Sequence, residues 1–171
     1  MDAVTLSKTL CRLEACSKAR DWADGKTLSD VYKQLHRADW WLWLATRAGV
    51  DRRRVALAAC ACARTALKYA PEGEKRPLHA IELTERWGRG EPGVTLEQVR
   101  QAAAYAAYAA AYAYADAAAH ADADADAAAA AAYAAADARR SARAKALADM
   151  MPLVREHLPL EVVAEALRGR S

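Results

Sequence analysis

The sequence predicts an all-α protein: a compact multi-helix array in one domain, organised around two long alanine-rich helices that run antiparallel. Three observations carry this expectation. Phenylalanine is absent, β-branched residues are scarce, and only 7 Gly and 5 Pro punctuate 171 residues. Residues 101–138 are mostly alanine, the strongest helix former, with no Lys, Arg, Gly or Pro among them. Outside that tract, apolar residues recur at helical spacing between residues suited to capping.

In chain order, a first helix is expected over Leu6–Ala23, with Leu6, Leu10 and Leu13 inward and Gly25 as its stop. Thr27 with Asp30 opens a short helix carrying Leu28, Val31, Tyr32 and Leu35. The next helix holds Trp40, Trp41 and Trp43 and ends at Gly49. Three Trp in four positions point around most of a helix, so at least one is expected at a surface or an interface. Asp51 caps a helix that opens with Arg52, Arg53 and Arg54, three cations at the end where the helix dipole disfavours them. They are either simply solvated or face an acidic partner or a phosphate.

Pro71–Pro77 reads as a loop, and Pro77 suits the start of a helix that carries Leu78, Ile81, Glu85 and Trp87 before Gly88 and Gly90. Thr95 and Gln98 form a capping box into the alanine region. From Leu96 to Met151 neither Gly nor Pro occurs. One helix of that length would reach about 84 Å, against a radius of gyration of about 15 to 16 Å for a compact chain of this size. The alternating Ala–Asp run from His120 to Asp126 is the weakest place, so a break with antiparallel return is expected there. Arg139, Arg140, Arg143 and Lys145 end the second arm, Pro152 allows a kink, and Pro159 starts a final helix. The expected organisation is therefore short amphipathic helices over 1–94, an alanine-rich hairpin over 95–151 and a C-terminal helix over 152–171, all in a single domain.

Catalytic motifs are missing: no glycine-rich phosphate loop, H-E-x-x-H or nucleophile elbow is present. Cys60 and Cys62 point apart on a helix, so no metal site is expected, and reduced thiols fit a cytoplasmic protein. No cofactor is expected, and no apolar run is long enough to span a membrane. The net charge of +3 conceals an asymmetry: residues 1–100 hold 18 Lys and Arg against 13 Asp and Glu, the remainder 7 against 9. That balance is too mild for a dedicated nucleic-acid binder. Tyr105, Tyr108, Tyr112, Asp116 and His120 share one helix stripe, which fits either a helix–helix seam or a groove of rings ending in a polar pair. Thin alanine arms need cover from other helices or a second copy, and a homodimer is the expectation.

The segment Arg76-Pro77-Leu78-His79-Ala80-Ile81-Glu82, followed by Trp87-Gly88-Arg89-Gly90-Glu91 and a long Ala/Tyr/Asp tract, resembles the alanine-rich immunity protein family of bacteria and their phages. The resemblance covers roughly Val55 to Val154, and the R-P and W-x-x-G elements are its specific part. It implies neutralisation of a toxin or defence effector by protein binding in the bacterial host cell, with no enzymatic step. An alternative is a sponge for a nucleotide-like signal, with Arg76 and Arg52–Arg54 on phosphate and the tyrosine stripe on a base. The candidate binding residues are thus Trp40, Trp41, Arg52, Arg53, Arg54, Arg76, His79, Trp87, Tyr105, Tyr108, Tyr112, Asp116 and His120.

Overall fold

The computed structural model describes residues 1–70, 72–119 and 142–169, apart from the side chains of Tyr69 and of 108–119. Among them the chain is helical, with no strand. It falls into two compact units, one made by Met1–Ala59 with Leu147–Ser171 and the other by Cys60–Ala146.

In the first unit, α1 (Ala3–Arg12) starts at Asp2, whose carboxylate accepts from the Thr5 backbone N–H at 2.9 Å. The expected single helix from Leu6 to Ala23 does not form. It splits into α1 and α2 (Ser17–Ala23), because Glu14 takes the left-handed conformation at φ 60°. Ala15 N–H then reaches the Leu10 carbonyl and Glu14 N–H the Cys11 carbonyl, the paired bonds of a Schellman ending. Burial of Leu10 and Ala15 on either side of the turn offsets the strain of a non-glycine residue there.

Helix α3 (Leu28–Gln34) opens with the full Thr27–Asp30 capping box, as the sequence predicts. Helix α4 (Ala38–Ala48) ends at left-handed Gly49, also as predicted. Two later helices complete the core, α9 (Met151–His157) and α10 (Leu160–Arg168). Pro152 is the second residue of α9, where its missing N–H costs nothing, and Pro159 caps α10. Helix α10 packs on α3 and α4, and α9 packs on α4. Trp41, Leu6, Leu28, Met151, Leu158 and Leu167 are its largest fully buried side chains, each contributing about 1.5–3 kcal/mol by removal from water.

Helix ends in this unit are closed by side chains from far along the sequence. Trp41 Nε1 donates to the Leu158 carbonyl at 2.8 Å, and Arg54 Nε donates to the His157 carbonyl at 2.7 Å. Both satisfy the C-terminus of α9. In return, Arg155 of α9 donates to the Tyr32, Lys33 and Leu35 carbonyls at 2.5, 3.2 and 3.2 Å, which closes α3.

Helix α5 (Arg52–Ala66) runs on as a 3-10 turn, Leu67–Tyr69. The second unit then continues with α6 (Arg76–Gly88) and α7 (Leu96–Ala119). They form an antiparallel pair, since Arg76 at the start of α6 lies over Tyr105 in the third turn of α7. Gly90, at φ 76°, makes the reversal, and Glu91 N–H bonds the Arg86 carbonyl. The Thr95–Gln98 box caps α7 as expected, with Thr95 N–H to Gln98 Oε1 at 2.8 Å and Gln98 N–H to Thr95 Oγ1 at 3.2 Å. Residues 142–149 form helix α8. The expected break at His120–Asp126, and with it the antiparallel return of the alanine arms, lies outside the described residues.

Candidate binding surface

Helix α4 sorts its tryptophans by angle. Trp41 faces inward, is 0% exposed, and leans on the Tyr32 ring at 5.1 Å. No partner can reach it in the folded chain, which corrects its expected place among the binding residues. Trp40 and Trp43 lie on the other side and are half-buried. With Arg47 they occupy positions i, i+3 and i+7, one side of the helix.

A small aromatic and cationic surface results. Trp22 of α2 meets Trp40 edge to face at 6.2 Å. The Lys26 ammonium sits 4.7 Å over the Trp22 ring and also donates to the Trp22 carbonyl. The Arg37 guanidinium lies 4.6 Å over Trp40, and Arg47 lies 5.9 Å from the Trp43 ring. Each cation holds one ring face without taking the whole ring out of water. Arg37 is tied to Asp39 through two bonds, 2.8 and 2.6 Å, and these hold the Asp39 carboxyl below its ordinary range. Arg47 has only a loose contact with Glu14, at 3.9 Å. Trp22, Lys26, Arg37, Trp43 and Arg47 were not among the sequence-predicted site residues. Their signal was the gathering of four of the five tryptophans between Trp22 and Trp43 and the placement of Arg47 four residues after Trp43.

Near Trp22, a shallow groove of about 430 Å³ is lined by Ser7, Cys11, Arg20, Asp21 and Asp24. Arg20 Nη1 points at the Cys11 sulfur from 3.6 Å, and the Cys11 and Cys16 thiols are exposed.

Arg52, Arg53 and Arg54 are exposed, at the start of α5. Asp51 already accepts from the Arg53 backbone N–H at 2.8 Å, so a carboxylate answers the positive helix end. Arg54 is occupied in closing α9.

In the second unit, Arg76 has partners on two sides. Glu74 accepts from its backbone N–H at 2.9 Å, from Nε at 2.8 Å and from Nη2. The Arg76 side chain, followed by its backbone N–H, pulls the Glu74 carboxyl down to about 2. The guanidinium also lies 5.4 Å over the Tyr105 ring, which is 63% exposed. His79 is exposed one turn along, and Trp87 is half-buried. Glu91 accepts from Arg86 and Arg89, each at 2.9 Å, and Arg64 pairs with Glu85 at 2.6 and 2.8 Å. The residues behind the R-P and W-x-x-G-E motifs therefore start one helix and turn it into the next. The side chains of Tyr108, Tyr112 and Asp116, and His120 altogether, lie outside the described residues.

Among the described residues no group of three His, Cys, Asp or Glu is placed to hold a metal ion. None of the described helices is long and apolar enough to cross a membrane. Burial pushes the Cys60 thiol up to about 11 and that of Cys62 upward as well, so neither is a ready nucleophile. Comparison with protein-family models, with curated proteins and with solved structures found no match. The resemblance to the immunity family thus rests on the quoted motifs alone.

Proposed function

We propose that this chain is a non-enzymatic binding protein of a bacterial or phage conflict system, which neutralises a toxin or defence effector by direct contact. The observation that carries the reading is the Trp22–Trp40–Trp43 surface. Three half-buried indoles are held by cations on helices whose inner faces are locked into the core, so little side-chain entropy is lost when a partner covers them. Tryptophan and arginine are also the residues that dominate binding energy at protein interfaces.

The second reading, a sponge for a nucleotide-like signal, draws on one observation: the exposed Tyr105 ring with Arg76 across it. Against it, Glu74 already neutralises that guanidinium, and a phosphate would have to displace a carboxylate held by three bonds.

The test uses the purified full chain from a bacterial host. Wild type and a Trp40→Ala/Trp43→Ala variant are used as bait, and the retained polypeptides are quantified by mass spectrometry. A polypeptide held by the wild type at about one copy per chain, and lost with the variant, is the expected result. Heat-denatured protein is analysed in parallel for released small molecules. A stoichiometric nucleotide that disappears with Tyr105→Ala, alongside no Trp-dependent polypeptide, overturns the proposal in favour of the sponge.

A further inference from the structure

The cations on the tryptophan surface differ in how far their charge is answered. Arg37 is neutralised by Asp39. Lys26 binds a carbonyl and a ring face, both uncharged. Asp30, whose charge acts on it at a distance, is held by Thr27 in the α3 capping box. Arg47 has Glu14 at 3.9 Å, with the two side chains 51% and 82% exposed, a pairing that water and salt largely cancel. Lys26, with no ion pair among the described contacts, and Arg47, with one long exposed pair, thus carry the least compensated positive charge beside the half-buried indoles.

From this charge pattern we infer that the surface recognises an acidic protein segment, in which an apolar side chain sits on Trp40 and carboxylates reach Lys26 and Arg47. It rests on the reading of this surface as the binding site and names the chemistry of the partner. Carboxylates meet cations whose approach to each ring also orients their N–H groups, so the charges complement without rearrangement. Nucleic acid fits less well. A run of stacked bases needs broadly open rings, whereas Trp22, Trp40 and Trp43 are half-buried with a cation on one face each, which leaves room for a single side chain.

The probes are an acetylated 12-residue peptide alternating Glu with Leu, its counterpart with Lys for Glu, and a single-stranded DNA 12-mer. Binding to the full chain is followed by calorimetry and tryptophan fluorescence at low and physiological salt. The Glu peptide is expected to bind saturably, to weaken with salt, and to lose at least tenfold in affinity with Lys26→Glu/Arg47→Glu. Lys26→Gln/Arg47→Gln should lose less, and Trp40→Ala should abolish binding. Circular dichroism confirms that each variant is folded. No binding of the Glu peptide, equal binding of the Lys peptide, DNA binding as tight as the peptide, or indifference to the Lys26 and Arg47 changes overturns the inference. If the bait experiment still yields a polypeptide that depends on Trp40 but not on Lys26 or Arg47, the binding surface stands and only its acidic partner is refuted. If Trp40 dependence is also absent, both fail.

Discussion

Replacing Trp41 by phenylalanine tests the packing logic of the first unit. Trp41 is 0% exposed and donates its indole N–H to the Leu158 carbonyl at 2.8 Å, joining α4 to the end of α9 across 117 positions of sequence. Phenylalanine keeps the six-membered ring's contacts and removes the donor. Leaving a buried carbonyl unpaired costs about 1–3 kcal/mol. The lost ring atoms leave a void of roughly 40 Å³, which adds about 1 kcal/mol. The sum, about 3 kcal/mol, is a large part of the 5–15 kcal/mol typical of folded domains. It corresponds to a fall in Tm of about 6–12 °C for a chain of this size. The assay is thermal and urea unfolding followed by circular dichroism, with Trp40→Phe as a control one position along the helix. Trp40 is half-buried with its N–H bonded to nothing else in the described structure, and its replacement should cost less than about 1 kcal/mol. Equal effects of the two changes, or a Trp41→Phe effect below about 0.5 kcal/mol, would refute the claim that the Leu158 bond and its packing hold α9 in place.

Glu14→Gly should stabilise the first unit by about 1 kcal/mol, since glycine adopts the left-handed turn without the penalty a side chain carries; a loss of stability in urea unfolding contradicts the Schellman assignment. Thr27→Ala removes the α3 cap and should cost about 1 kcal/mol in the same measurement. In the second unit, Glu74 titrates near 2 in the folded chain, below its ordinary 4.5. Its contact with Arg76 therefore stabilises fully above the ordinary value and is lost as pH falls through the folded value. Carboxyl NMR should record the low titration and its return toward 4.5 in Arg76→Ala; an unchanged Glu74 would break the pairing. A thiol reagent should modify Cys11 and Cys16 rapidly and leave Cys60 and Cys62 protected until unfolding, and four equally fast thiols would contradict the burial of Cys60 and Cys62.

Features decided within a few residues were legible in the sequence. Thr27 with Asp30 and Thr95 with Gln98 close their caps over three positions, Gly49 stops α4, and Pro159 starts α10. Each depends on backbone geometry and one neighbouring side chain, so the local order of residues suffices. The break at Glu14 was not legible, because no glycine or proline marks it and the burial of Leu10 and Ala15 decides it. The candidate surface was half legible. Three clustered tryptophans imply that one meets solvent, but which ones do depends on where α9 and α10 land on α4. The distant bonds were beyond the sequence altogether: Arg54, expected to be solvated or to face an acidic partner or a phosphate, and Arg155, to which the sequence assigned no role, each end a helix more than a hundred positions away. Composition and spacing determine which segments are helical and, where a capping residue, glycine or proline marks the end, how they begin and stop. Only the tertiary structure decides which side chains complete those ends and which tryptophans are left for a partner, because burial depends on residues the local sequence does not contain.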